Sequence, residues 1–121
     1  MNPMLSDHLS LREVQCHCGK CPPGVIRWEL VRMYEELRSQ CSQYTGGDCP
    51  LRINSGLRCA SHNQVVGLFL PSYRLVGKAL DLQCPPTVPL GLFHRWAENV
   101  NSQGGVGFYR WGCHLDLGTK R

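Results

Sequence analysis

KALDLQC, residues 78–84, alternates with a period of two: Leu80 and Leu82 fall on one side, Ala79, Asp81 and Gln83 on the other. Successive side chains of a strand point to opposite faces, so this pattern predicts a strand with one apolar face and one polar face. Pro85 and Pro86 follow at once. Proline cannot donate to a ladder, so the strand stops there. CHLDLG, residues 113–118, repeats the pattern: His114 and Asp116 share one side, Cys113 and Leu115 the other. GGVGFY precedes it, with Arg110, Trp111 and Gly112 between, which predicts a closing pair of strands. LRINS, residues 51–55, alternates as a further short strand.

The intervening segments have a helical period. Ile26, Leu30, Met33, Leu37 and Cys41 recur at three- and four-residue steps, predicting an amphipathic helix from Ile26 to about Tyr44 that TGGDCP ends. Leu92, Phe93, Trp96 and Val100 predict a second helix within PLGLFHRWAENV, residues 89–100, and a short one is expected over 62–66. Residues 1–15 read as an N-terminal arm, and CHCGKCPPG, residues 16–24, as a turn-rich knot. Strands and helices without a regular βα alternation predict an α+β fold, a small antiparallel sheet flanked by helices. With 121 residues, no internal repeat and no linker, the chain is expected to form one domain over 1–121, with 1–24 as its cysteine-rich N-terminal segment.

Hydrophobic residues make up 42% of the chain and charged residues 18%, a globular balance. The net charge of +4 rests on 13 basic residues, of which Lys20, Lys78 and Lys120 are the lysines. An arginine bias suits carboxylate recognition, because the planar guanidinium binds such groups with two parallel hydrogen bonds. The basic residues form no run interleaved with aromatics, so no nucleic-acid partner is expected. No apolar stretch approaches the roughly 18 residues of a spanning helix, and MNPMLSDHLSLREVQ lacks the features of a secretory signal. The chain is therefore expected to be cytoplasmic at synthesis. The 8 cysteines are many for a chain without an export signal, since structural disulfides need an oxidising compartment.

Asp81 and His114 are the informative pair. Each is polar between apolar neighbours on a predicted strand, so both side chains can project from one sheet face into a cleft. A carboxylate and an imidazole are standard zinc ligands, and catalytic zinc takes three protein groups plus a water. Asp116, on the face of His114, can orient a ligand or act as a general base. The plainer readings are a turn aspartate and a packed histidine.

Beyond these residues, the chain resembles the zinc D-alanyl-D-alanine carboxypeptidases and related peptidoglycan-cleaving enzymes, in particular the small single-domain members of bacteria and phages. INSGLRCASHNQVVG (53–67) is similar to that family's INSGYR…HN…VGG segment, and SYRLVGKALDL (72–82) to its S-x-H-x-x-G-x-A-x-D motif. GGVGFYRWGCHLDLG (104–118) resembles its GGVG-x-Y…H-x-D-x-G ending, and VQCHCGKC its cysteine-rich beginning. The resemblance implies a hedgehog/D-Ala-D-Ala-peptidase-like domain with one zinc ion, acting as a D,D-carboxypeptidase or endopeptidase on peptidoglycan peptides, as a monomer. It also implies work at the periplasm or cell wall, or carriage by a phage. Asp81 and His114 fall on ligand positions, Arg58 on the arginine that binds the substrate carboxylate, and Ser72, beside Tyr73, on a serine that holds substrate. Asp116 is the candidate general base.

One position departs from the pattern. Arg74 stands where the family has its third ligand, a histidine. Guanidinium has five donors, no free lone pair and a pKa too high to lose its proton, so it cannot coordinate zinc. An Arg74–Asp81 ion pair is the simplest expectation, unless His62, Cys84 or Cys113 replaces the missing donor. A non-catalytic module binding peptidoglycan peptides on the same fold is therefore the alternative to a working peptidase. A redox or metal-handling role for the cysteines is a third reading. Cys16, Cys18 and Cys21 with His17 lack a matching downstream pair at finger spacing, so disulfides or buried thiols are expected over a structural zinc.

Overall fold

The computed structural model describes residues 4–14, 27–55 and 79–118. Within them the chain forms helices α1 (Leu11–Val14), α2 (Trp28–Thr45) and α3 (Leu90–Val100) and strands β1 (Ile53–Ser55), β2 (Ala79–Gln83), β3 (Gly105–Phe108) and β4 (Gly112–Asp116). The four strands make one sheet in the order β1-β2-β4-β3, antiparallel at every pairing. The fold is thus α+β with a small antiparallel sheet and helices, as the alternation predicts. The short helix expected over 62–66 lies outside the described residues.

The apolar face of the sheet builds the core. Leu80, Leu82, Cys113 and Leu115 are fully buried, together with Phe93 and Ala97 of α3 and Leu30, Leu37 and Cys41 of α2. Each buried leucine contributes roughly 1.5–3 kcal/mol over an exposed one. Helix α3 packs on β3 and β4, and α2 packs on α3, where Tyr44 meets Trp96 edge to face at 5.8 Å. Pro89 precedes α3, placing the proline where no helical N–H is lost.

Helix α2 ends where the sequence turns to TGG. Gly46 takes the left-handed conformation, φ 78°, and its N–H, with that of Gly47, donates to the Ser42 carbonyl. Two polar contacts tie the buried face of α2 to the chain that follows. The Tyr34 hydroxyl donates to the Leu51 carbonyl at 2.8 Å, and Arg38 pairs with Asp48 at 2.8 Å. Burial pushes the Tyr34 phenol up to about 12, so it stays a donor at physiological pH.

The N-terminal arm is more ordered than a plain extended segment. Met4 bridges Ser10, the Glu13 carboxylate accepts from both the backbone N–H and the hydroxyl of Ser10, and the Glu13 N–H donates to the Ser10 carbonyl, closing the first turn of α1. Glu35 of α2 then holds the arm, accepting from the Ser6 hydroxyl, the His8 N–H and the His8 ring.

Candidate functional site

The polar face of the sheet carries the site. In the β2–β4 pairing Asp81 stands directly opposite His114, so the two side chains project from the same face. Their atoms meet: His114 Nδ1 lies 2.8 Å from Asp81 Oδ1. On its other side, His114 Nε2 lies 2.7 Å from Asp116 Oδ2. Asp116 is wholly buried and its second oxygen accepts the Gly118 N–H at 2.9 Å. The ring is thus held edge-on between two carboxylates, and the His114 side chain keeps 15% of its exposure.

Two glycines of GGVG make this arrangement possible. Gly105 stands opposite Asp116, and Gly107 opposite His114. A Cβ at Gly105 would overlap both carboxylate oxygens of Asp116, and one at Gly107 would lie 3.3 Å from the His114 Cβ. The segment therefore has glycines at alternate, site-facing positions because the strand passes directly beneath the two polar groups. Asn101, at the end of α3, fixes the same region by donating to the Gly105 and Asp116 carbonyls.

The electrostatics of this line are specific. A neutral imidazole has one donor and one acceptor nitrogen. A proton on Nε2, donated to Asp116, leaves the Nδ1 lone pair facing a carboxylate oxygen. Two acceptors at that distance need a positive species between or beside them: a second ring proton, a metal ion or a neighbouring side-chain cation. The arrangement matches the carboxylate–histidine–metal line in which a buried acid fixes the tautomer of a ligating imidazole. Asp81 and His114 therefore fit two of the three protein positions of a catalytic zinc. Among the described residues no group of three or more His, Cys, Asp or Glu side chains is placed to hold a metal ion.

Sequence reasoning missed one residue here. The Tyr109 hydroxyl reaches Asp81 Oδ1 at 3.3 Å from the turn between β3 and β4. That turn is closed by reciprocal backbone bonds between Tyr109 and Gly112, and His94 Nε2 reaches both of their carbonyls, at 3.1 and 2.8 Å. The tyrosine of GGVGFY was a visible signal, but a strand pattern does not say where a hydroxyl at its end will point.

The expectation that Cys84 or Cys113 could replace the missing imidazole fails. Cys113 pairs with Leu82 and is buried on the apolar face, away from His114. The Cys84 thiol packs against the same core and donates to the Val88 carbonyl at 3.3 Å. Burial pushes both thiols up, away from the thiolate a metal needs. Cys41, Cys49, Cys84 and Cys113 are all free thiols. Arg58, Ser72, Tyr73 and Arg74 lie outside the described residues, as do His17, His62, Cys16, Cys18, Cys21 and Cys59.

A family model described as Peptidase M15 matches residues 7–117. The chain belongs to the M15 peptidase family. No curated protein matches it. Members of this family are typically zinc-dependent peptidases, and the match covers all three polar residues of the line, Asp81, His114 and Asp116. Among the described residues no helix is long and apolar enough to cross a membrane.

Proposed function

We propose that the chain is a monomeric zinc metallopeptidase domain, spanning 1–121 on a hedgehog/D-Ala-D-Ala-peptidase-like scaffold, that acts on the D-amino-acid peptides of peptidoglycan. The observation that carries this reading is the Asp116–His114–Asp81 line. Asp81 and His114 would supply two protein donors to one ion. A bound zinc lowers the pKa of its water and polarises a scissile carbonyl.

The chain's own residues divide the remaining work. With an ion held between Asp81 and His114, Asp116 would keep the ring proton on His114 Nε2 and so leave Nδ1 free to ligate. Its complete burial suits this orienting role and leaves no approach for a substrate water, so Asp116 is a positioning residue here in place of the general base. Tyr109 donates to Asp81 and limits how that carboxylate can turn. Arg58 would take the terminal carboxylate of the peptide, its guanidinium matching the two oxygens with parallel hydrogen bonds. Ser72 and Tyr73 would line the same substrate side.

Arg74 supports a second reading. The third ligand position falls on a side chain without a lone pair, which leaves a two-donor set, weaker for zinc than the usual three. On that reading the same cleft binds wall peptides without cutting them. The test is paired. Wild-type and Arg74→His proteins are dialysed against zinc, analysed for bound metal and incubated with muropeptides. Release of D-alanine or peptide cleavage by the wild type supports the peptidase. Activity in Arg74→His alone assigns the natural chain to binding, and absence of zinc and cleavage in both contradicts the metallopeptidase reading.

A further inference from the structure

The turn between β3 and β4 carries a feature that metal binding does not use. Tyr109 and Trp111 stack with ring centroids 4.6 Å apart and planes 19° from parallel. Trp111 remains 42% exposed. Large aromatic surface is usually withdrawn from water, and an exposed indole at the rim of a polar site is a feature of binding surfaces. This pair is also held in place. His94 fastens the turn to α3 through the Tyr109 and Gly112 carbonyls, and the Tyr109 hydroxyl contacts Asp81. The plate is thus rigid before anything binds, so little conformational entropy is lost on binding.

We infer that the Tyr109–Trp111 plate is a sugar subsite, on which a pyranose ring of the wall glycan stacks while its attached peptide lies at Asp81 and His114. The inference rests on the wall-peptide reading and adds its glycan half. A pyranose presents a flat face of C–H bonds edged by hydroxyls, which complements a flat π-face open to water. An apolar side chain of a peptide would need a concave pocket to bury most of its surface. Trp111 lies face to face on Tyr109, so the outer face of its indole is presented flat and backed by a second ring, and such a face fits the sugar. Its distance from the metal donors is one side chain, since Tyr109 itself spans from the stack to Asp81.

The experiment uses the three indole N–H signals of Trp28, Trp96 and Trp111 in an NMR titration of the intact, metal-free chain, with Trp111→Ala identifying the third signal. The probes are an N-acetylglucosamine tetramer, a sugar-free stem peptide and an intact muropeptide. The tetramer is expected to shift the Trp111 signal saturably while Trp28 and Trp96 stay in place. Trp111→Ala is expected to weaken muropeptide binding roughly tenfold. A Trp111 signal that moves with the stem peptide but not with the tetramer overturns the sugar assignment, as does one that moves with neither. Sugar binding here needs no metal, so loss of zinc uptake would sink the peptidase reading and leave this result standing. Conversely, cleavage without a Trp111 response would sink the subsite alone.

Discussion

His114 is the residue on which the site turns, because both of its ring nitrogens are committed to carboxylates. Alternation within KALDLQC and CHLDLG was enough to put Asp81, His114 and Asp116 on polar strand faces. It could not say that Asp81 and His114 stand opposite one another, since a period of two gives the face of a strand and not its register. The glycine spacing at Gly105 and Gly107 was equally visible, but its meaning depends on what lies across the ladder. Asp116→Asn removes the charge behind the ring and places an amide where one acceptor oxygen takes the Gly118 N–H. Zinc affinity, measured by competition with a chromogenic chelator, is expected to fall about 10- to 100-fold. An unchanged affinity would remove Asp116 from the account.

At the scale of elements, β2 is the organising strand, paired with β1 on one side and β4 on the other. Its apolar face anchors the core through Leu80 and Leu82, and its polar face offers Asp81. Leu82→Ala leaves a cavity between fully buried neighbours and is expected to cost about 2–5 kcal/mol in a denaturant titration. A loss below about 1 kcal/mol would contradict the packing of Leu82 in the core beneath β2. Helices α2 and α3 and all four strands were legible because each has a long or clean hydrophobic period. Helix α1 was not. Its four residues are too few for a period, and only the Ser10–Glu13 pair, a Ser-x-x-Glu signature, marked its start.

At the scale of the whole molecule, the arm and the thiols report on the packing around the sheet. Burial works against ionisation of Glu35, but hydrogen bonds from Ser6 and His8 outweigh it and hold this carboxyl below its ordinary value of 4.5. A carboxyl depressed in the folded state stabilises the arm above its unfolded pKa and loses that contribution as the pH falls through the folded value. The protection factors of the amides of residues 5–9, taken against the intrinsic exchange rate at each pH, are therefore expected to fall as the pH drops below about 4.5, with Glu35→Gln showing low protection at neutral pH as well. Burial likewise pushes the Cys41 thiol up to about 12, with Cys113 raised further. Mass mapping after alkylation at pH 8 is expected to find both sites unmodified in the folded chain and modified in denaturant. Labelling of the folded protein at Cys113 would contradict the core placed beneath β4.

The overall architecture and the polar strand faces of Asp81, His114 and Asp116 were thus within reach of the sequence, while the register that brings them together and the aromatic turn needed three dimensions. The most direct test of the central claim is a zinc titration of the wild-type chain followed by the two ring nitrogens of His114 in long-range ¹H–¹⁵N spectra. A metal shared with Asp81 predicts a saturable change at Nδ1 while Nε2 keeps its proton towards Asp116. Coordination through Nε2, or two ring nitrogens unmoved at saturating zinc, would contradict it.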